Sequence, residues 1–158
     1  MMIEWLRLTQ RHSRRDVLKG VATTAAAVSF APLASFAAPA QVEDEIKKLF
    51  AGKPLADGKI KLDLPSIAEN GLVVPLNFDI ESPMTENDYV KNVYFFAEGN
   101  PNPVVAAFHF TALTPKASGQ IRIRLAQTQN IVAVAEMADG KLYTAKKEVK
   151  VTIGGCGG

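Results

Sequence analysis

The chain has 158 residues, 47% apolar and 8% aromatic, enough for one folded domain with its own core and too apolar for a disordered chain. Its formal charge of +2 is unevenly spread: residues 1–40 hold Arg7, Arg11, Arg14, Arg15 and Lys19 against Glu4 and Asp16, and removing those five bases and two acids from the totals of 18 and 16 leaves 13 and 14, a net of −1. A nearly neutral remainder excludes the electrostatic footprint of a nucleic-acid binder or of a protein held on an anionic membrane.

Residues 1–40 read as an export signal: a basic start, then the small, moderately apolar "GVATTAAAVSFAPLASFA", then alanines suited to cleavage. In "SRRDVLKG" Arg14 and Arg15 stand side by side after Ser13, followed by Val17, Leu18 and Lys19. This resembles the twin-arginine signal, which sends folded proteins across a bacterial inner membrane; Val17 stands where phenylalanine is commoner. Alanine, threonine and serine dominate the stretch, so a spanning helix is not expected. Cleavage between Ala37 and Gln41 would leave a periplasmic protein with no membrane attachment.

In chain order, "VEDEIKKLFAG" predicts a short amphipathic helix, with Val42, Ile46, Leu49 and Phe50 at helical spacing, Glu43, Asp44 and Glu45 in its first turn, Lys47 and Lys48 later, and Gly52 as its stop. The period then changes to two. "KIKLDL" alternates Ile60, Leu62 and Leu64 with polar residues, and "LVVPLNFDI" places Leu72, Val74, Leu76, Phe78 and Ile80 on one face, with Pro75 opposite suggesting an edge strand or a bulge. "KNVYFFAE", "VVAAFHFT", "QIRIRLA", "NIVAVAEM", "KLYTA" and "KKEVKVTI" complete eight candidate strands. "MTEND" and "EGNPNP" read as turns, and Asp139-Gly140 as a hairpin. In "QIRIRLA" Ile121, Ile123 and Leu125 face a core while Arg122 and Arg124 face water. One helix followed by short strands predicts an all-β fold, a β-sandwich, with no internal repeat and no linker. The expected organisation is a signal over 1–40, one domain over 41–153 and an arm over 154–158.

Little in the chain suits catalysis. His109 in "AAFHFT" reads as an exposed or hydrogen-bonded strand histidine, and one cysteine with one histidine in the mature chain offers no metal set. There is no nucleophile elbow and no Gly-rich phosphate loop. Asp63, Glu69, Glu81, Asp88 and Glu98 fall at strand ends and turns, where solvation explains them.

Cys156 stands apart. It is the one cysteine of the chain, set in the terminal "GGCGG", and in an oxidising compartment it has no internal partner for a disulfide. Val149, Val151 and Ile153 should pin the chain into a sheet, whereas Gly154, Gly155, Gly157 and Gly158 have nothing to bury and should stay mobile. At roughly 3.3–3.6 Å per extended residue, the thiol would explore about 10 Å beyond the sheet. An ordinary solvated thiol ionises near about pH 8.5, and no helix terminus or cationic neighbour in the sequence activates this one. An unactivated thiol on a slim tether is a poor catalyst and a good handle, presented to the active sites of other proteins.

The twin-arginine leader at Ser13–Lys19, the short helix, the β-rich domain and the terminal Gly154-Gly155-Cys156-Gly157-Gly158 together resemble the SoxY family, sulfur-carrier subunits of the periplasmic thiosulfate-oxidising Sox system. The resemblance implies an immunoglobulin-like β-sandwich and a heterodimer with SoxZ. It implies that Cys156 carries covalently bound sulfur intermediates, with no resident cofactor and no metal. It further implies transient encounters with the haem enzyme SoxAX, the di-manganese hydrolase SoxB and, where present, SoxCD. The alternative from another class is a secreted immunoglobulin-like assembly module whose Cys156 forms an intermolecular disulfide, giving a disulfide-linked dimer.

Overall fold

A helix of 12 residues, α1 (Pro39–Phe50), starts the part of the chain that the computed structural model describes, residues 39–154. Proline suits the first helical position because its missing N–H would have no partner there. The helix therefore begins before the acidic run, and Glu43, Asp44 and Glu45 lie beyond its first turn. Val42, Ile46 and Phe50, four apart, form the stripe that packs on Tyr94, Phe96, Val104, Val132, Val134 and Leu142, with Phe50 edge-on to Tyr94 at 5.5 Å. Leu49, expected on that stripe, is 45% exposed, because a step of one residue turns it about 100° away from Phe50. Ala51 and Gly52 take left-handed φ angles of 52° and 70° and end the helix where the glycine predicted it.

The described residues then form nine strands: β1 (Leu55–Asp57), β2 (Ile60–Asp63), β3 (Ile67–Asn70), β4 (Val74–Ile80), β5 (Val90–Ala97), β6 (Val104–His109), β7 (Ala117–Ile123), β8 (Gln129–Met137) and β9 (Leu142–Ile153). One sheet has the order β1-β9-β8-β5-β6, with β3 also paired to β9, and the other has the order β2-β4-β7. Their inner faces meet in a β-sandwich core, and α1 covers the outer face of the larger sheet. "KLYTA" and "KKEVKVTI" are one strand rather than two: β9 runs unbroken for 12 residues. β1 and β3, which lack any alternating pattern, form because they lie parallel to β9 along its other edge. The hairpin between β8 and β9 is as expected, with Gly140 at φ 81° and the Lys141 N–H donating to Asp139 Oδ1 at 3.0 Å. The Lys141 ammonium beside it holds the Asp139 carboxyl below the usual carboxylate range.

β4 buries Val74, Leu76, Phe78 and Ile80, whereas Leu72 lies outside the strand and is exposed. Pro75 does not mark an edge strand, since β4 is the middle of its sheet. The β2 ladder ends at Asp63↔Asn77, so at Pro75 the strand has β7 as its one neighbour and a missing N–H costs no pairing on the other side. Phe78 is the centre of the core, with ring centroids 4.9 Å from both Phe95 and Phe108. Opposite it on β7 stands Gly119, where a Cβ would lie 2.9 Å from the Phe78 ring. Gly119→Ala is expected to destabilise the fold by about 1–3 kcal/mol through overpacking, and Phe78→Ala by about 3–5 kcal/mol through cavity formation; urea unfolding of the two variants measures both.

Candidate functional site: the root of the C-terminal arm

β9 outlasts its partner. The ladder with β8 ends at Gln129↔Val149, and the last residues of β9 find other bonds. On one side β3 runs parallel, pairing Ile67 with Lys150, Ala68 with Val151 and Asn70 with Ile153. Gly71 follows, and its N–H donates to the Ile153 carbonyl at 2.8 Å while its own carbonyl accepts from the Leu125 N–H at 2.8 Å. On that same side the Thr152 hydroxyl donates to the Glu69 carbonyl of β3 at 2.8 Å, and on the other side the Val151 N–H donates to Thr128 Oγ1 at 2.9 Å. The end of β9 is thus held from both flanks.

A polar knot lies beside this root. Asn100 and Gln129, each 6% exposed, sit where the sequence suggested an ordinary turn and a strand start. The Asn100 side chain donates to the Arg124 carbonyl at 2.8 Å and accepts from the Ala126 N–H and from Gln129 Nε2, both at 2.9 Å. Gln129 Oε1 accepts from the Gly99 N–H at 2.6 Å, so the amide pair ties residues 99–100 to 124–129. Burial raises the value of each bond, because losing one leaves its partner unpaired in a low-dielectric interior. Around the root Leu72, Val73 and Ile153 are exposed apolar side chains.

Gly154 is the one glycine of the predicted arm within the described residues. Its backbone is exposed, and a Cβ on Gly154 would lie 2.2 Å from the Ala126 carbonyl oxygen. Gly155, Cys156, Gly157 and Gly158 lie outside the described residues, as do Arg14 and Arg15 of the predicted export signal.

The other residues singled out from the sequence are dispersed. His109 closes β6, exposed, with Nδ1 2.6 Å from Asn92 Oδ1, as expected of a hydrogen-bonded strand histidine, while Phe108 and Phe110 beside it pack on Phe78. Arg122 and Arg124 face outward, and Ile123 and Leu125 are buried between and beyond them. Asp63, Glu69, Glu81 and Asp88 are exposed. Glu98 is not a solvated strand-end acid: it is buried, accepts from Asn130 Nδ2 at 2.7 Å and pairs with Lys146 at 2.6 Å, because strand β8 and then β9 lie next to it. Among the described residues no cluster of histidine, cysteine, aspartate and glutamate is placed to hold a metal ion, and no described helix is long and apolar enough to cross a membrane. Asn100, Gln129, Gly71 and Thr128 were missed by sequence reasoning, since they act on segments distant in the chain and carry no local signature.

Comparison with known proteins gives a consistent picture. The model of the family described as sulfur oxidation protein SoxY matches residues 46–156. The sulfur carrier protein SoxY from Chlorobium limicola f thiosulfatophilum is similar in structure, with a TM-score of 0.61 and 34% identity over 72% of this chain and 98% of that one. The superoxide reductase (neelaredoxin) from Ignicoccus hospitalis shares the fold at 20% identity, with a TM-score of 0.52 over 78% of this chain and 99% of that one. The superoxide reductase from Nanoarchaeum equitans does so at 12% identity, with a TM-score of 0.52 over 61% and 100% of the two chains. No curated protein sequence matches the chain.

Asn100→Ala is expected to lower stability by about 2–3 kcal/mol, because it strands buried donors and an acceptor. Asn100→Asp keeps the Oδ1 acceptor but turns an acceptor oxygen toward the Arg124 carbonyl and buries a charge, so it should lose at least as much; thermal unfolding of the two variants checks the order.

Proposed function

Because the chain belongs to the SoxY family of sulfur oxidation proteins, we propose that it carries sulfur intermediates covalently on Cys156 and presents them to partner enzymes of thiosulfate oxidation. It serves as a carrier and not as an enzyme. The observation that carries the finer reading is the extent of the family match, whose last residue is Cys156, three positions beyond Ile153 at the end of β9. A folded domain that ends in a clamped strand and continues directly into Gly-Gly-Cys-Gly-Gly has the form of a body with a substrate handle.

Loading couples the thiol to thiosulfate: RSH and ⁻S–SO₃⁻ give RS–S–SO₃⁻, a proton and two electrons, and the electrons pass to a haem enzyme of the SoxAX kind. The S–H bond breaks and an S–S bond forms, so the cysteine and the sulfane sulfur are together oxidised by two electrons. A SoxB-like hydrolase then uses water to break the bond between sulfane sulfur and sulfone: RS–S–SO₃⁻ and H₂O give RS–S⁻, sulfate and two protons. The remaining sulfane sulfur would be oxidised by SoxCD where that enzyme is present. Nothing in these steps asks the carrier for an activated nucleophile, which accords with a thiol that has no cationic neighbour in sequence.

A SoxZ-like β-sandwich is the proposed stable partner. The twin-arginine pattern at Arg14 and Arg15 supports periplasmic export of the folded protein, and with it a partner that lacks a leader of its own. The chemistry then takes place outside the inner membrane, where the haem enzyme and hydrolase meet the carrier.

Cys156→Ser is expected to abolish thiosulfate turnover in a reconstituted system while changing stability by less than about 0.5 kcal/mol, as a substitution outside the core does. Mass spectrometry of the C-terminal peptide after exposure to thiosulfate and the haem enzyme should show one thiosulfonate on Cys156. A stable disulfide-linked dimer that never bears added sulfur would sink the carrier reading and favour the assembly module.

A further inference from the structure

Gly154 does not take a left-handed backbone conformation; among the described glycines only Gly52, Gly58 and Gly140 do. A side chain is therefore not barred there by φ. It is barred by space, since a Cβ would fall 2.2 Å from the oxygen and 3.3 Å from the carbon of the Ala126 carbonyl. That obstacle is backbone, and it is itself fixed: the Ala126 N–H is bound by buried Asn100 at 2.9 Å, and the neighbouring Leu125 N–H is bound by Gly71 at 2.8 Å, the residue whose own N–H holds the Ile153 carbonyl. Thr128, two residues on, grips Val151. The segment 125–128 and the end of β9 thus form one closed ring of bonds, and Gly154 passes against its rim.

We propose that Gly154 is a fixed pivot, wedged against the Ala126 carbonyl, that sets the point and direction from which the cysteine-bearing arm leaves the domain. Gly154 then has a duty of its own among the glycines of that run: the close approach to Ala126. A methyl group at 154 has to move about 1 Å or more to reach ordinary contact distance, and that movement is carried outward over the roughly 7 Å of two further residues to Cys156. Gly154 is on this account a positioning residue. Its effect on partner reactions rests on the carrier reading above; its effect on geometry does not.

The test uses the full mature chain with one nitroxide on Cys156 and a second on Lys91→Cys, an exposed β5 residue near the start of β9 and roughly 35 Å from the arm root by strand length. Pulsed electron-electron distance measurement should show the mean distance shifted by about 3–6 Å in Gly154→Ala and by less than about 2 Å in Gly155→Ala. Thr128→Val, which removes the hydroxyl that grips Val151, should broaden the distribution. Alkylation of Cys156 by a small reagent should be unchanged in all three. Loading of sulfur by the haem partner should fall about ten- to hundredfold in Gly154→Ala, as for other misplacements of about 1 Å, and less than about threefold in Gly155→Ala. Equal distance distributions in the two alanine variants, whether both shifted or both unshifted, overturn the pivot. So does a shifted distance in Gly154→Ala with loading at the parent rate. Absence of loading in the parent itself refutes the carrier reading, and the distance data then decide the pivot alone.

Discussion

β9 is hydrogen-bonded on both of its edges, and the arrangement of the protein follows from that. β8 pairs antiparallel with residues 142–149, β1 runs parallel to residues 142–144, and β3 runs parallel to the far end of the strand. A terminal strand paired on one edge frays readily, because each backbone bond adds only about 0.5–1.5 kcal/mol net. Pairing with β8 as far as Val149, pairing with β3 as far as Ile153, and side-chain grips from Thr128 and Thr152 oppose fraying toward the end of the strand. Backbone bonds from β3 and Gly71 hold the strand as far as Ile153.

This hold on the strand bears on the proposed carrier role. The effective concentration of a tethered group depends on the length and stiffness of its tether, and a fixed strand end adds no slack to it. The buried Asn100–Gln129 pair matters for the same reason. It satisfies the polar groups of residues 99, 124 and 126 without water and makes the platform under Gly154 part of the core's edge rather than a surface loop. Leu72, Val73 and Ile153, close to that platform in the chain or by pairing, leave apolar surface exposed beside it.

The superoxide reductases that share the sandwich at 12% and 20% identity make plain that the architecture itself carries no chemistry. What separates this chain from a generic sandwich is its end: a long last strand, a clamp assembled from three separate segments, and five residues with one thiol among four glycines.

Local sequence determined what has a local cause. Alternation in "VVPLNFDI" and "NIVAVAEM" places Val74, Leu76, Phe78, Ile131 and Ala133 in the core because successive strand residues face opposite ways; the stripe Val42, Ile46, Phe50 follows from the helical period, and Gly52 and Gly140 from the left-handed backbone their turns require. The lone cysteine between glycines was equally plain to read. Only the tertiary structure decided the rest, since it depends on partners far apart in the chain. β1 and β3 are strands because β9 offers them an edge, "KLYTA" and "KKEVKVTI" fuse because β8 lies alongside their junction, and Glu98 is buried because Lys146 stands beside it. The space around Gly154 is likewise a tertiary matter: the carbonyl of Ala126, 28 positions earlier, occupies the place a Cβ would take.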